Sequence, residues 1–124
     1  EVWATVMWRA RGFMWKKAGI PLATIAPKEG TTPIIFDAAV PKNAQNKANG
    51  WAYLDAMLDP AGQVLFADRM GYVPTVTNAK LPDDLAKEIG FTEAEQEKFN
   101  IPNYEYIAAN NAALLEWWNK NFKA

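Results

Sequence analysis

Apolar residues occupy both faces of Val2-Trp3-Ala4-Thr5-Val6-Met7-Trp8. A strand covered on both sides by helices carries such a β-branched and aromatic run, so the pattern predicts a buried strand. The period then changes. Phe13, Met14 and Ala18 fall at helical spacing over residues 10–18, Lys16 and Lys17 occupy the last turn, and Gly19 follows the end, which predicts a short helix. Pro21 to Ala26 reads as a second strand, closed by the turn Pro27-Lys28-Glu29-Gly30, and Pro33 to Val40 as a third, ended by Pro41. Strands alternating with helices predict an α/β sheet, in which ligands tend to sit beyond the carboxyl ends of the strands.

From Asn43 to Met70 the pattern is helical. Trp51, Leu54 and Leu58 make one apolar stripe, and Asp59-Pro60 supplies an N-cap and first-turn pair that starts a second helix ending at Gly71. Tyr72 to Asn78 is an extended or looping segment. Pro82 to Ile89 predicts a short helix with Asp83 and Asp84 in its first turn, and Thr92-Glu93-Ala94-Glu95 is a capping box for another. The longest helix runs roughly from Tyr104 to Phe122; Ile107, Ala113, Leu114, Trp117 and Trp118 give it a wide apolar face, expected to pack against a sheet. Neither a repeat nor a low-complexity linker marks a domain boundary.

Composition narrows the function classes. Half of the 124 positions are apolar, as in an ordinary globular protein, and 13 basic side chains nearly balance 14 acidic ones. The net charge of -1 leaves no clustered cationic excess for phosphate backbones, so no nucleic acid partner is expected. The chain has neither Cys nor His. That removes disulfides, the usual nucleophile and base pairings and nearly all transition-metal sites, so no catalytic residue, metal or cofactor is expected. No run approaches the roughly 20 apolar residues that span a bilayer, and Glu1 to Trp8 has neither a basic n-region nor a small-residue cleavage site. The abrupt start inside a strand-like run leads to the expectation that an N-terminal part of the protein precedes it.

Three spaced segments carry a resemblance. The first is Val6-Met7-Trp8, then Gly12, Ala18-Gly19-Ile20-Pro21 and Pro27-Lys28-Glu29-Gly30; the second is Ala39-Val40-Pro41-Lys42-Asn43-Ala44-Gln45-Asn46-Lys47; the third is Leu58-Asp59-Pro60, then Met70-Gly71-Tyr72-Val73-Pro74 and Asn78. In order and spacing they resemble the C-terminal portion of the spermidine/putrescine-type periplasmic solute-binding proteins of ABC importers. The resemblance implies an α/β, type II periplasmic-binding fold of two lobes joined by crossovers, present here only in its C-terminal part. Residues 1–32 would belong to the second lobe, 33–78 to the first and 79–124 to the second. It implies capture of a small organic solute, polyamine-like or related, for an inner-membrane permease. It also implies a periplasmic location, with a signal peptide in the missing N-terminal part. A fragment feeding two sheets would leave edges and faces uncovered and should be unstable alone.

By the same resemblance Trp8 and Tyr72 fall on ligand-lining positions, where aromatic walls suit methylene chains and amines. The family's "WxD" motif aligns without gaps to Ile34-Ile35-Phe36, so Asp37 comes one residue late, and in a strand that offset turns a side chain to the opposite face. Asp37 reaches the cleft only if a bulge restores it. Arg9 and Arg11 follow Trp8 directly and would suit a carboxylate or phosphonate, which gives an alternative organic-anion ligand. Tyr104, with Asn103 and Tyr106, lies where the family's last ligand contact comes from. Two rival readings remain: an enzyme using carboxylates alone, for which no convergent pair is visible, and an interaction module whose exposed Trp residues bind a protein. Asp83 and Asp84 read as carboxylates complementing a helix dipole, and Trp51, Trp117 and Trp118 as core or lobe-packing rings.

Overall fold

A computed structural model describes residues 3–123. Among the described residues six helices follow one another: α1 (Arg9–Lys17), α2 (Lys47–Met57), α3 (Pro60–Met70), α4 (Asp83–Ile89), α5 (Glu93–Gln96) and α6 (Tyr104–Asn121). Their ends follow the local chemistry. The Asp59 carboxylate accepts from the Gly62 N–H at 2.7 Å and Pro60 opens α3, so an otherwise orphaned donor is satisfied by the side chain before it. At α5 the Thr92 hydroxyl accepts from the Glu95 N–H at 3.2 Å while the Glu95 carboxylate accepts from the Thr92 N–H at 2.7 Å, a reciprocal capping box.

The expected sheet is absent among the described residues. Of the predicted strands, Trp3–Trp8, Pro21–Ala26 and Pro33–Val40 run without ladder partners, and Val2 lies outside the described residues. The one β contact described is an isolated parallel bridge between Thr31 and Phe99, supported by the Asn100 N–H donating to the Thr31 carbonyl at 2.8 Å. The physical reason is that a strand is completed by its neighbour: β-branched and aromatic content makes a segment fit for a sheet but supplies no partner.

What packs is helical. α1 crosses α3 and α4, and Phe13, Ala67, Leu85 and Ile89 form the buried core, with Met14 and Leu81 against it. Charged residues fasten the rim: Lys16 Nζ lies 2.7 Å from Glu88 Oε1, and Lys17 Nζ 3.0 Å from Asp68 Oδ1. Such half-exposed pairs contribute up to about 1 kcal/mol each, so the apolar contacts dominate. α2 and α6 depart from expectation in another way. No residue of either is buried: the Trp51–Leu58 stripe is open, and Trp117 and Trp118 each pair with Phe122, at 5.3 and 4.7 Å between ring centroids. Trp51, Trp117 and Trp118, read as core or lobe-packing rings, lie exposed.

Candidate ligand-binding site

Trp8 is the N-cap of α1. Its φ of -67° and ψ of 131° keep it extended while the next residue enters the helix, so the ring stands where an extended segment turns into a helix. Phe36, from the 33–40 run, lies 5.6 Å from it, centroid to centroid, with the planes inclined by 44°. Phe36 in turn meets Tyr72 edge-on at 5.9 Å and 68°, and Tyr72 meets Phe66 of α3 at 5.4 Å. Four rings from four separate positions thus form one continuous row. Aromatic pairs at these separations and tilts attract by about 0.5–1.5 kcal/mol each beyond their burial. Trp8, Phe36 and Phe66 nevertheless keep 53%, 59% and 54% of their surface exposed, so the row is open to a ligand.

Two devices place Tyr72. Gly71 caps α3 in the left-handed region, φ 71°, which reverses the chain directly before the tyrosine. Beyond it, Gln63 of α3 clasps the following loop: its Nε2 donates to the Met57 carbonyl and to Thr75 Oγ1, both at 3.0 Å, and its Oε1 accepts from the Thr75 N–H at 2.8 Å. The loop of residues 72–78 is therefore tied to the helix that carries Phe66.

The structure brings Trp8 and Tyr72 to either side of Phe36 and places the other expected residues elsewhere. Arg9 turns from the row toward α4 and α5. Its guanidinium carbon lies 4.5 Å from the centre of the Phe91 ring, Nη1 is 4.0 Å from Glu95 Oε1, and Nη2 donates to the Glu88 carbonyl at 3.4 Å. Its Nε is buried without a partner. The Glu95 carboxyl is held below its usual range, first by the Thr92 backbone N–H and then by the Thr92 hydroxyl. Partial desolvation opposes this shift, and the Arg9 charge adds to it. Asp37 is exposed and forms no ion pair among the described residues, as is also true of Arg11. Tyr104, in the first turn of α6, stands 62% exposed and outside the ring row. Asn103 accepts from the Tyr106 N–H at 2.9 Å and caps that helix.

Sequence reasoning missed Phe36 and Phe66 as site residues. Phe36 stood out only as the place where a carboxylate was wanting, and Phe66 is six positions before Tyr72, a spacing that puts neither on the other's helical face. The signal was the break between them, since a left-handed glycine after a helix folds the next residue back toward its last turns. Among the described residues no group of three His, Cys, Asp or Glu could hold a metal ion, and no helix is long and apolar enough to cross a membrane.

The chain is 29% identical over 119 residues to the spermidine/putrescine-binding periplasmic proteins of Salmonella typhimurium and Escherichia coli, an alignment covering 96% of this chain. It spans 31% of the length of those relatives. No solved structure matches it. The family model for bacterial extracellular solute-binding proteins matches residues 1–93, three quarters of the chain. With that match, and with the motifs around Trp8, Val40 and Tyr72 in order, the chain belongs to the bacterial extracellular solute-binding protein family, whose members have the type II periplasmic-binding fold.

Proposed function

We propose that this chain is the C-terminal part of the substrate-binding component of an ABC importer, which captures a small amine-bearing solute, polyamine-like or related, between two lobes in the periplasm and hands it to an inner-membrane permease. The observation that carries the reading is the row Trp8–Phe36–Tyr72, which joins positions far apart in the sequence through two exposed rings and one half-buried one. Residues 1–32 and 79–124 are assigned to one lobe and 33–78 to the other. The α1–α3 contact around Phe13 and Ala67 then lies at the junction. Capture is reversible and no reaction is involved; the open-to-closed balance shifts because closure desolvates the ring faces.

The ligand contacts are Trp8 and Tyr72, with Phe36 between them; Asp37 and Tyr104 stand as outer contacts reached on closure. The organic-anion reading draws less support, because Arg9 already shares its guanidinium among Phe91, Glu95 and the Glu88 carbonyl. Glu95 supplies a counter-charge there. Native mass spectrometry of the full-length protein, purified without refolding, should show a bound organic amine. In titration calorimetry Trp8→Ala should weaken its binding at least about tenfold, the scale of one lost aromatic contact. Unchanged affinity in both Trp8→Ala and Tyr72→Ala would sink the reading.

A further inference from the structure

We infer that Arg9 is a positioning residue for the Trp8 ring: its guanidinium fastens the start of α1 to the segment around α4 and α5, and so fixes one end of the row. This rests on the row being the ligand wall proposed above. Local chemistry at that end of α1 is poor. Trp8 stands at the N-cap with a side chain that carries no acceptor oxygen, so the first N–H groups of the helix gain no cap from it. The first turn holds Arg9 and Arg11 and no acid, which sets two positive charges against the positive end of the helix dipole. The helix nevertheless begins there, with the Trp8 carbonyl accepting from the Arg11 N–H at 2.9 Å and from the Gly12 N–H at 3.1 Å. A start that runs against the local rules calls for support from elsewhere in the fold.

Arg9 provides it. Three groups fix its guanidinium: the Phe91 ring, whose centre is 4.5 Å from the guanidinium carbon, Glu95 Oε1 at 4.0 Å from Nη1, and the Glu88 carbonyl at 3.4 Å from Nη2. The two polar contacts are long, so the stack on the ring face is the firmest of the three. The Arg9 and Glu95 side chains are 29% and 30% exposed, and water screens the pair only in part. Each partner is itself held. Phe91 meets Phe99 edge-on at 5.0 Å, and its carbonyl accepts from Gln96 Nε2 at 3.0 Å. The Glu95 carboxylate accepts from the Thr92 N–H at 2.7 Å and from the Thr92 hydroxyl at 3.0 Å. Glu88 also takes the far end of α1, its carboxylate lying 2.7 Å from Lys16 Nζ. α1 is thus fastened at both ends to one segment, and Trp8, the residue before Arg9, takes its place from that attachment. The row is set by two unlike devices, Gly71 with Gln63 for Tyr72 and Arg9 for Trp8.

The experiment uses the full-length protein labelled with 5-fluorotryptophan, the Trp8 fluorine signal being assigned by its loss in Trp8→Phe. Arg9→Met keeps an unbranched side chain and removes the guanidinium. It should shift or broaden the Trp8 signal and leave those of Trp51 and Trp118 in place, which reports an intact fold. Phe91→Leu should move the same signal, and Arg9→Lys, which keeps the charge but lacks the flat face, should restore it only in part. Binding is read by titration calorimetry with putrescine. Arg9→Met should weaken it roughly fivefold or more on its own and by less than about twofold when added to Trp8→Ala, as expected of a residue that acts through the ring. An unmoved Trp8 signal in Arg9→Met overturns the inference, as does an equal loss of affinity with and without the ring, which would make Arg9 a direct contact. Putrescine binding that depends on neither Trp8 nor Tyr72 overturns the ligand wall beneath the inference, and the fluorine signals still decide whether Arg9 sets the ring.

Discussion

A methyl group at position 71 would have nowhere to go. Gly71 holds φ at 71°, where an L side chain costs roughly 1–2 kcal/mol, and a Cβ there would stand 2.6 Å from the Phe13 ring. Phe13 is part of the buried core and cannot withdraw without opening it. Gly71→Ala should therefore lower the stability of the full-length protein by at least about 2 kcal/mol, combining the backbone cost with overpacking. A urea unfolding midpoint indistinguishable from that of the unaltered protein would show that the ring is free to move. The same substitution shifts Tyr72, so its ligand affinity should fall with its stability.

At the level of elements, the loop that bears Tyr72 depends on one side chain of α3. Gln63 makes three bonds to Thr75, the longest at 3.4 Å, and one to the end of α2, each contributing at most about 0.5–1.5 kcal/mol net. Gln63→Leu should release the 72–78 loop while leaving α3 intact, since Leu is a good helix former. The check is amide hydrogen exchange at Thr75, which should speed up by tenfold or more on loss of about 1–2 kcal/mol of local protection; unchanged exchange would assign the loop's order to something else. Helices were legible here because their signals are local. Asp59-Pro60, the Thr92–Glu95 box and the glycines after α3 and α4 each act within one turn, and α1, α3, α4, α5 and α6 lie within a residue or two of where these signals put them. Strands were not, because Trp3–Trp8 and Pro33–Val40 carry strand composition while their partners are determined elsewhere. The candidate site divides in the same way. Trp8 and Tyr72 came from motif resemblance, whereas Phe36 and Phe66 became visible only when tertiary placement put them between and beside those rings.

For the molecule as a whole, surface area is the telling quantity. A compact monomer of 13.9 kDa exposes about 6700 Å² by the usual scaling, and this chain exposes 10750 Å². The excess is apolar to a large degree, including Trp3, Trp51, Trp117 and Phe122. Residues 1–124 expressed alone should therefore bind a hydrophobic dye strongly and lack a cooperative thermal transition, and the same residues within the full-length protein should do neither. A sharp calorimetric transition from the isolated chain would contradict this.

One contact reaches across much of that sequence. Gly30, at φ 100°, sits so close to the Lys98 carbonyl that any Cβ would run into the oxygen, and the Thr31–Phe99 bridge follows immediately. The two ends of the long stretch between are thus buttoned together, with Phe36, Phe66 and Tyr72 inside the closed ring of chain. Once such a ring is fastened, lengthening it is cheap, about 0.6 kcal/mol for each doubling, so insertions in its connecting loops should be tolerated by evolution. The buttonhole is less forgiving, because a side chain at position 30 would meet the Lys98 carbonyl and force the fastening apart.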